Sequence, residues 1–181
     1  MSQASIEIVR EFFIINNFFV LKKEDILFVK NVQVASGERS EKFILPGAEI
    51  NKTVGNAVVK PISWHTMKFT PGVLSKFPEI FDFLKSNSME ESKKFFRGED
   101  FLKVLVIPSL PASEGLKKES IRIMKEKGID HLVTFSSIIA GLVEKIESRH
   151  VYLSSVNEVL RVLKFYGFFT EEEEQNLPFD K

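Results

Sequence analysis

The stretch Gly55-Asn56-Ala57-Val58-Val59-Lys60-Pro61-Ile62-Ser63-Trp64-His65-Thr66-Met67-Lys68-Phe69 decides how the rest of the chain is read. It opens as a β-branched run, the composition of a buried strand. It then presents Lys60, the sole tryptophan Trp64, His65 and Lys68 within nine residues. Polar groups at a strand end are where α/β domains place their sites.

Downstream of this strand the hydrophobic period changes to a helical one. Thr70-Pro71 sets a cap residue before a proline at the first helical position, and Pro78 repeats the signal before Ile80, Phe81 and Leu84. Ser88-Met89-Glu90-Glu91 fits a capping box for another helix, closed by Gly98. Val104-Leu105-Val106-Ile107-Pro108 is the clearest buried strand. A helix from about Ser113, with Leu116, Ile121 and Met124 inward, stops at Gly128 before the strand His131–Phe135. A strand–helix–strand unit of this kind predicts a right-handed parallel crossover. Two helices follow: one through Ile138, Ile139, Leu142, Val143 and Ile146, and one opened by the box Ser155–Glu158 and ended at Gly167.

Upstream, Ser5 is placed to cap a first helix carrying Ile6, Val9 and Phe13. Asn16-Asn17 makes a turn into a strand Phe18–Leu21, and Lys22-Lys23-Glu24-Asp25 interrupts the apolar pattern before a strand from Ile26 through Val29 toward Val34. Ser36–Ser40 reads as a polar turn, Lys42–Leu45 as renewed β character and Pro46-Gly47 as a further turn. These connections are too short for helical crossovers, so the strands pair antiparallel.

At 181 residues and 44% hydrophobic, with 18 phenylalanines, the chain is a single globular domain of 1–181. It divides into an α/β core over 5–135, C-terminal helices over 136–170 and an acidic tail over 171–181. The expected architecture is a mixed central sheet flanked by helices, with the C-terminal helices as an appendage. Cysteine is absent, which excludes disulfide scaffolds and thiolate metal sites and fits a cytoplasmic protein. No apolar run approaches the roughly 20 residues a bilayer requires, and Met1–Ser5 lacks a basic leader, so neither a membrane span nor a signal peptide is expected. The formal charge is zero, yet the tail holds Glu171–Glu174 and Asp180 against Lys181; the remainder carries 24 basic and 20 acidic side chains. A mildly basic body permits nucleic-acid contact.

The order of helix, strands, hairpin, strand, helix, strand, helix, strand, with a lysine near the end of the Val58 strand, resembles the restriction-endonuclease-like nuclease superfamily. That superfamily carries an aspartate on one strand and Asp/Glu-x-Lys on the next. The resemblance covers residues 5–135 and rests on topology and a few positions. It implies Lys60 as the signature lysine, Asp25 as the first aspartate and Glu11 as an accessory carboxylate of the first helix. It also implies a Mg²⁺ held by carboxylates, which activates water against a phosphodiester, and DNA or RNA as the partner. The sequence departs from the signature at Val58, where the second carboxylate belongs. Glu49 is the nearest candidate to replace it, making Asp25 and Glu49 the expected metal ligands. The implied protein is thus a nuclease-like fold with weak or lost cleavage, its nucleic-acid contacts drawn from Trp64, His65 and Lys68.

Each of these residues also has a plainer reading. Lys60 marks a strand edge ended by Pro61, Asp25 belongs to a charged turn, Trp64 is core, and His65 is a surface histidine without ligand spacing to His131 or His150. No phosphate-binding glycine loop and no nucleophile elbow occur. The loop Pro108–Ser113, between a strand and a helix, is placed to meet an anion, with no partner residues to make it specific. A non-enzymatic interaction protein is the competing reading, with Phe18, Phe19, Phe168 and Phe169 as surface to bury in a homodimer.

Overall fold

The computed structural model describes residues 2–32 and 43–169. Its centre is a five-stranded mixed sheet in the order β1-β2-β5-β6-β7. Strands β1 (Phe18–Lys23), β2 (Ile26–Asn31) and β5 (Asn56–Pro61) pair antiparallel. Strands β6 (Leu102–Ile107) and β7 (His131–Thr134) extend the sheet in parallel, as the crossover expectation required. A separate ribbon, β3 (Ile44–Leu45) with β4 (Lys52–Thr53), stands apart from it.

Side chains alternate across β5 and thereby sort the core into two halves. Ala57 and Val59 face α1 (Gln3–Ile15), α5 (Phe135–Lys145) and α6 (Ser155–Phe165). Val58 and Ile62 face α2 (Pro71–Lys76), a 3-10 segment Pro78–Leu84, α3 (Ser86–Phe95) and α4 (Glu114–Glu126). Phenylalanine fills both halves: Phe13 packs edge-on to Phe12 and Phe18, and Phe96 stacks on Phe101. No helix among the described residues is long and apolar enough to cross a membrane.

Several boundaries differ from the sequence expectation for definable reasons. The first helix starts at Gln3 after Ser2, so Ser5 lies inside it, buried and bonded to His65 rather than capping. Lys22 and Lys23 do not interrupt β1. Their long stems stay in the strand while their ammonium groups reach Glu7 and Glu91. Ser88 is also interior, its carbonyl accepting from the Ser92 hydroxyl, because α3 begins at Ser86. Leu116 faces solvent, leaving Ile121 and Met124 as the inward side of α4. Ser154, not Ser155, caps α6, and Glu158 accepts from the Tyr152 backbone instead of closing a box. Phe18 is buried against α1, so it is unavailable to a partner. The expected turn Ser36–Ser40, the tail from 171 and the part of the second expected strand beyond Val32 fall outside the described residues; β2 itself ends at Asn31.

The C-terminal helices are a layer of the core rather than an appendage. Ile138 and Leu142 of α5 are fully buried against α1, and Leu160 of α6 packs on the same cluster. Thr134 caps α5 by accepting from the Ser137 amide at 3.3 Å.

At the far edge of the sheet the loop Pro46–Ile50 closes β7: the Ala48 amide donates to the Leu132 carbonyl at 2.8 Å. A Cβ on Gly47 would stand 2.1 Å from the Ile50 carbonyl oxygen and 2.4 Å from the His131 ring. Gly47→Ala is therefore expected to destabilise the protein by about 1–3 kcal/mol, the usual cost of overpacking. Urea unfolding checks this, and an unchanged midpoint would contradict the close approach.

Candidate functional site

The centre of the sheet carries one charge into its interior. Lys60 follows Val58 on the same face of β5 and is only 7% exposed. A buried ammonium is costly unless it is paired, and its partner is Asp25, whose Oδ2 lies 2.5 Å from Lys60 Nζ. Asp25 reaches this position because β1 and β2 are joined by the two-residue turn Glu24-Asp25, with Lys23 opposite Ile26. Glu24 adopts φ +54°, left-handed backbone that costs a non-glycine residue about 1 kcal/mol. That tight turn holds the carboxylate over the lysine, whereas a longer loop would leave it free in solvent.

The pair lies in a cleft of about 340 Å³ walled by Ile26, Ile62, Trp64, Glu79, Asp82 and Phe83. A second depression, of about 220 Å³, shares Glu24, Ile26, Phe83 and Ser88 with it and is floored by Phe28 and Val58. Acidic groups dominate the rim: Glu24, Glu79 and Asp82 line the first cleft and Glu91 the second. Lys85 pairs with Asp82 at 2.8 Å, and Lys23 with Glu91.

The other sequence candidates are dispersed. Glu49 pairs with Lys125 of α4 beyond β7, three strands from β2 in the sheet order. At about 4.8 Å per strand that is roughly 14 Å from the Asp25 strand, so Glu49 does not replace the carboxylate missing at Val58. Glu11 belongs to the opposite face of the sheet, where it is buried and accepts from Asn157 Nδ2 at 3.1 Å and Arg10 Nη1 at 3.2 Å. Its burial there rests on α6, which sequence spacing does not place beside α1.

Trp64 is half-buried, stacked on Phe69 and edge-on to Phe77, so its ring serves the packing of α2. His65 is exposed at its turn, with Nε2 2.8 Å from Ser5 Oγ and its ring against Phe135. Lys68 is exposed on the same loop. Asp25 and Lys60 thus lie together, and Glu79 and Asp82 join them on the cleft wall, signalled in the sequence only by the helical segment opened by Pro78.

A magnesium site requires several oxygen ligands in near-octahedral array. Asp25 is engaged by Lys60, Val58 is apolar, and Glu11 and Glu49 are elsewhere. Among the described residues no group of three His, Asp or Glu could hold a metal ion. The residues present therefore do not fit the metal implied by the superfamily resemblance. Compared with family models, curated proteins and solved structures, the chain matches none.

One histidine is electrostatically perturbed, away from this cleft. His131 on β7 is buried, and its Nε2–H donates to the Pro46 carbonyl at 3.2 Å. Burial, with Lys52 nearby, holds its pKa below the usual histidine range in spite of that bond.

Two outcomes follow from these geometries. Asp25→Ala leaves the Lys60 ammonium unpaired and is expected to cost about 1–3 kcal/mol, the penalty for an unsatisfied buried polar group. Lys60→Met fills the same space without the charge and costs less; urea titration of both variants and their double mutant reads the asymmetry. For His131, the folded state resists the proton that the unfolded chain accepts near pH 6.5. Its contribution to stability is complete above that pH and declines as pH falls through it toward the lowered folded value. Melting temperatures measured from pH 8 to pH 5 should fall, and His131→Gln should flatten that part of the profile.

Proposed function

We propose that the chain is a restriction-endonuclease-like scaffold that has lost metal-dependent phosphodiester cleavage and acts by binding. The observation that carries this reading is the Asp25–Lys60 ion pair beside a buried Val58. Val58 and Lys60 share one face of β5, and Val58 stands opposite Phe28 on β2, the strand that Asp25 leads. A carboxylate at position 58 would open on the depression that adjoins the Asp25 cleft through Glu24, Ile26, Phe83 and Ser88, two residues along β5 from Lys60. The isopropyl group of Val58 cannot ligate an ion, and Lys60 is neutralised by Asp25 rather than aimed at a phosphate.

The sequence of one helix, a hairpin, a central strand and a parallel crossover supports the scaffold assignment. Nucleic acid is the ligand class that scaffold implies. The acidic rim repels phosphate from the cleft itself, so contact falls to His65 and Lys68 on the loop leaving β5. Binding of this kind is electrostatic and weakens steeply with salt.

Incubation with single-stranded, duplex and branched DNA in Mg²⁺ or Mn²⁺ should give no cutting above that of Lys60→Ala. Retention on the same DNA at low salt should be lost by about 150 mM and reduced by Lys68→Ala. Val58→Glu should gain a Mn²⁺-dependent rise in melting temperature that the unaltered chain lacks. Robust cutting abolished by Lys60→Ala, or an equal Mn²⁺ effect without the substitution, defeats the loss of cleavage. No retention on DNA at low salt defeats the nucleic-acid part.

A further inference from the structure

The last helix carries an apolar stripe that nothing in the described fold covers. On α6 the spacing of Val159, Val162 and Tyr166 places them on one side. Gly167, at φ +78°, turns the chain so that the Phe168 amide donates back to the Leu163 carbonyl at 3.0 Å, which brings Phe168 to the same end. Phe165, Tyr166 and Phe168 are 61, 71 and 73% exposed, and Leu153, just before the helix, is wholly exposed.

This helix is fixed in place. Lys164 Nζ donates to the Val143 and Ile146 carbonyls of the α5 end at 2.6 and 2.8 Å. Arg161 donates to the Ser148 carbonyl at 3.1 Å, and Asn157 donates to the buried Glu11. The polar side of α6 is thus spent on the body of the domain, and the apolar side is presented rigidly. Little ordering entropy remains to oppose association.

The amount of surface selects the occupant. At about 200 Å² for each fully exposed aromatic ring, the three aromatics supply roughly 400 Å². Leu153, Val159 and Val162 add roughly 200 Å², at about 60–120 Å² for each complete side chain. A patch of about 600 Å² is at the top of what monomers expose. It also exceeds the roughly 500 Å² of apolar area per partner in a standard interface of about 800 Å² a side. Ser155, Val159, Val162 and Tyr166 are uncharged, and Glu158, which lies between Val162 and Phe165 on the helix surface, is paired with Arg161, so its charge is offset where the stripe meets its own copy. An antiparallel crossing about a two-fold axis near Val162 also sets the two helix dipoles head to tail.

We propose that α6 forms the interface of a homodimer, two copies packing their 153–168 stripes antiparallel about a two-fold axis. The surface is on the opposite side of the sheet from the Asp25–Lys60 cleft and does not depend on how that cleft is read. Sedimentation velocity of the full chain from 1 to 100 µM should show a dimer, and Val162→Glu should weaken it at least tenfold with the far-UV spectrum and melting profile of a folded chain. Because cysteine is absent, Val162→Cys gives a clean second readout: mild oxidation should yield a disulfide-linked dimer. Phe19→Glu, on the exposed edge strand β1, should leave the dimer intact. A monomer throughout that range overturns the proposal. So does a dimer that resists Val162→Glu, or one dissolved by Phe19→Glu and not by Val162→Glu.

Discussion

Everything in this structure is arranged around a strand buried on both faces that nevertheless contains a lysine. From Ala57 to Pro61 no residue of β5 is exposed. A strand in that position selects apolar side chains, and Val58, Val59 and Ala57 comply. Lys60 does not, and its charge is tolerated only because the β1–β2 turn delivers Asp25 to it at 2.5 Å. The unusual backbone of Glu24, the tightness of the hairpin and the antiparallel register of β2 on β5 all bear on that one contact.

The opposite half of the molecule is held by polar ties between helices distant in sequence. Glu11 of α1 and Asn157 of α6 meet in a buried hydrogen bond, and Ser5 bonds His65 from the loop after β5. Among the described residues Asn157 Oδ1 is buried without a hydrogen-bond partner, which costs part of what Nδ2 contributes. A polar contact of this type specifies how α6 sits more than it strengthens the core. Its consequence is that the apolar stripe of α6 faces outward in one defined orientation.

The two faces of the sheet therefore serve different ends. One carries a charged cleft in which carboxylates outnumber the lysines, each lysine there being already paired. The other carries a rigid apolar surface. Phosphate chemistry is disfavoured at the first by its own charge, while burial of the second is favoured by its area.

Local sequence alone determined a good deal. The β-branched runs at Val58 and Val104, the caps at Thr70 and the stops at Gly98, Gly128 and Gly167 act through neighbouring residues, so they are legible in order along the chain. The Asp25–Lys60 pair was named through the superfamily resemblance and not through local pattern; the antiparallel pairing of β2 on β5 makes the contact. What lay beyond reading was decided by tertiary packing. Glu49 was expected near Lys60 and instead follows the loop that closes β7, because a backbone hydrogen bond from Ala48 to Leu132 fixes that loop there. Glu11 was assigned to the cleft and turned to the other face, since the phase of α1 is set by Val9, Phe12 and Phe13 entering the core. Lys22 and Lys23 were taken as a break, yet they continue a strand once Glu7 and Glu91 stand within reach. In each case the deciding partner is distant in sequence, and a residue's own type and spacing carry no record of which distant surface the fold will bring to it.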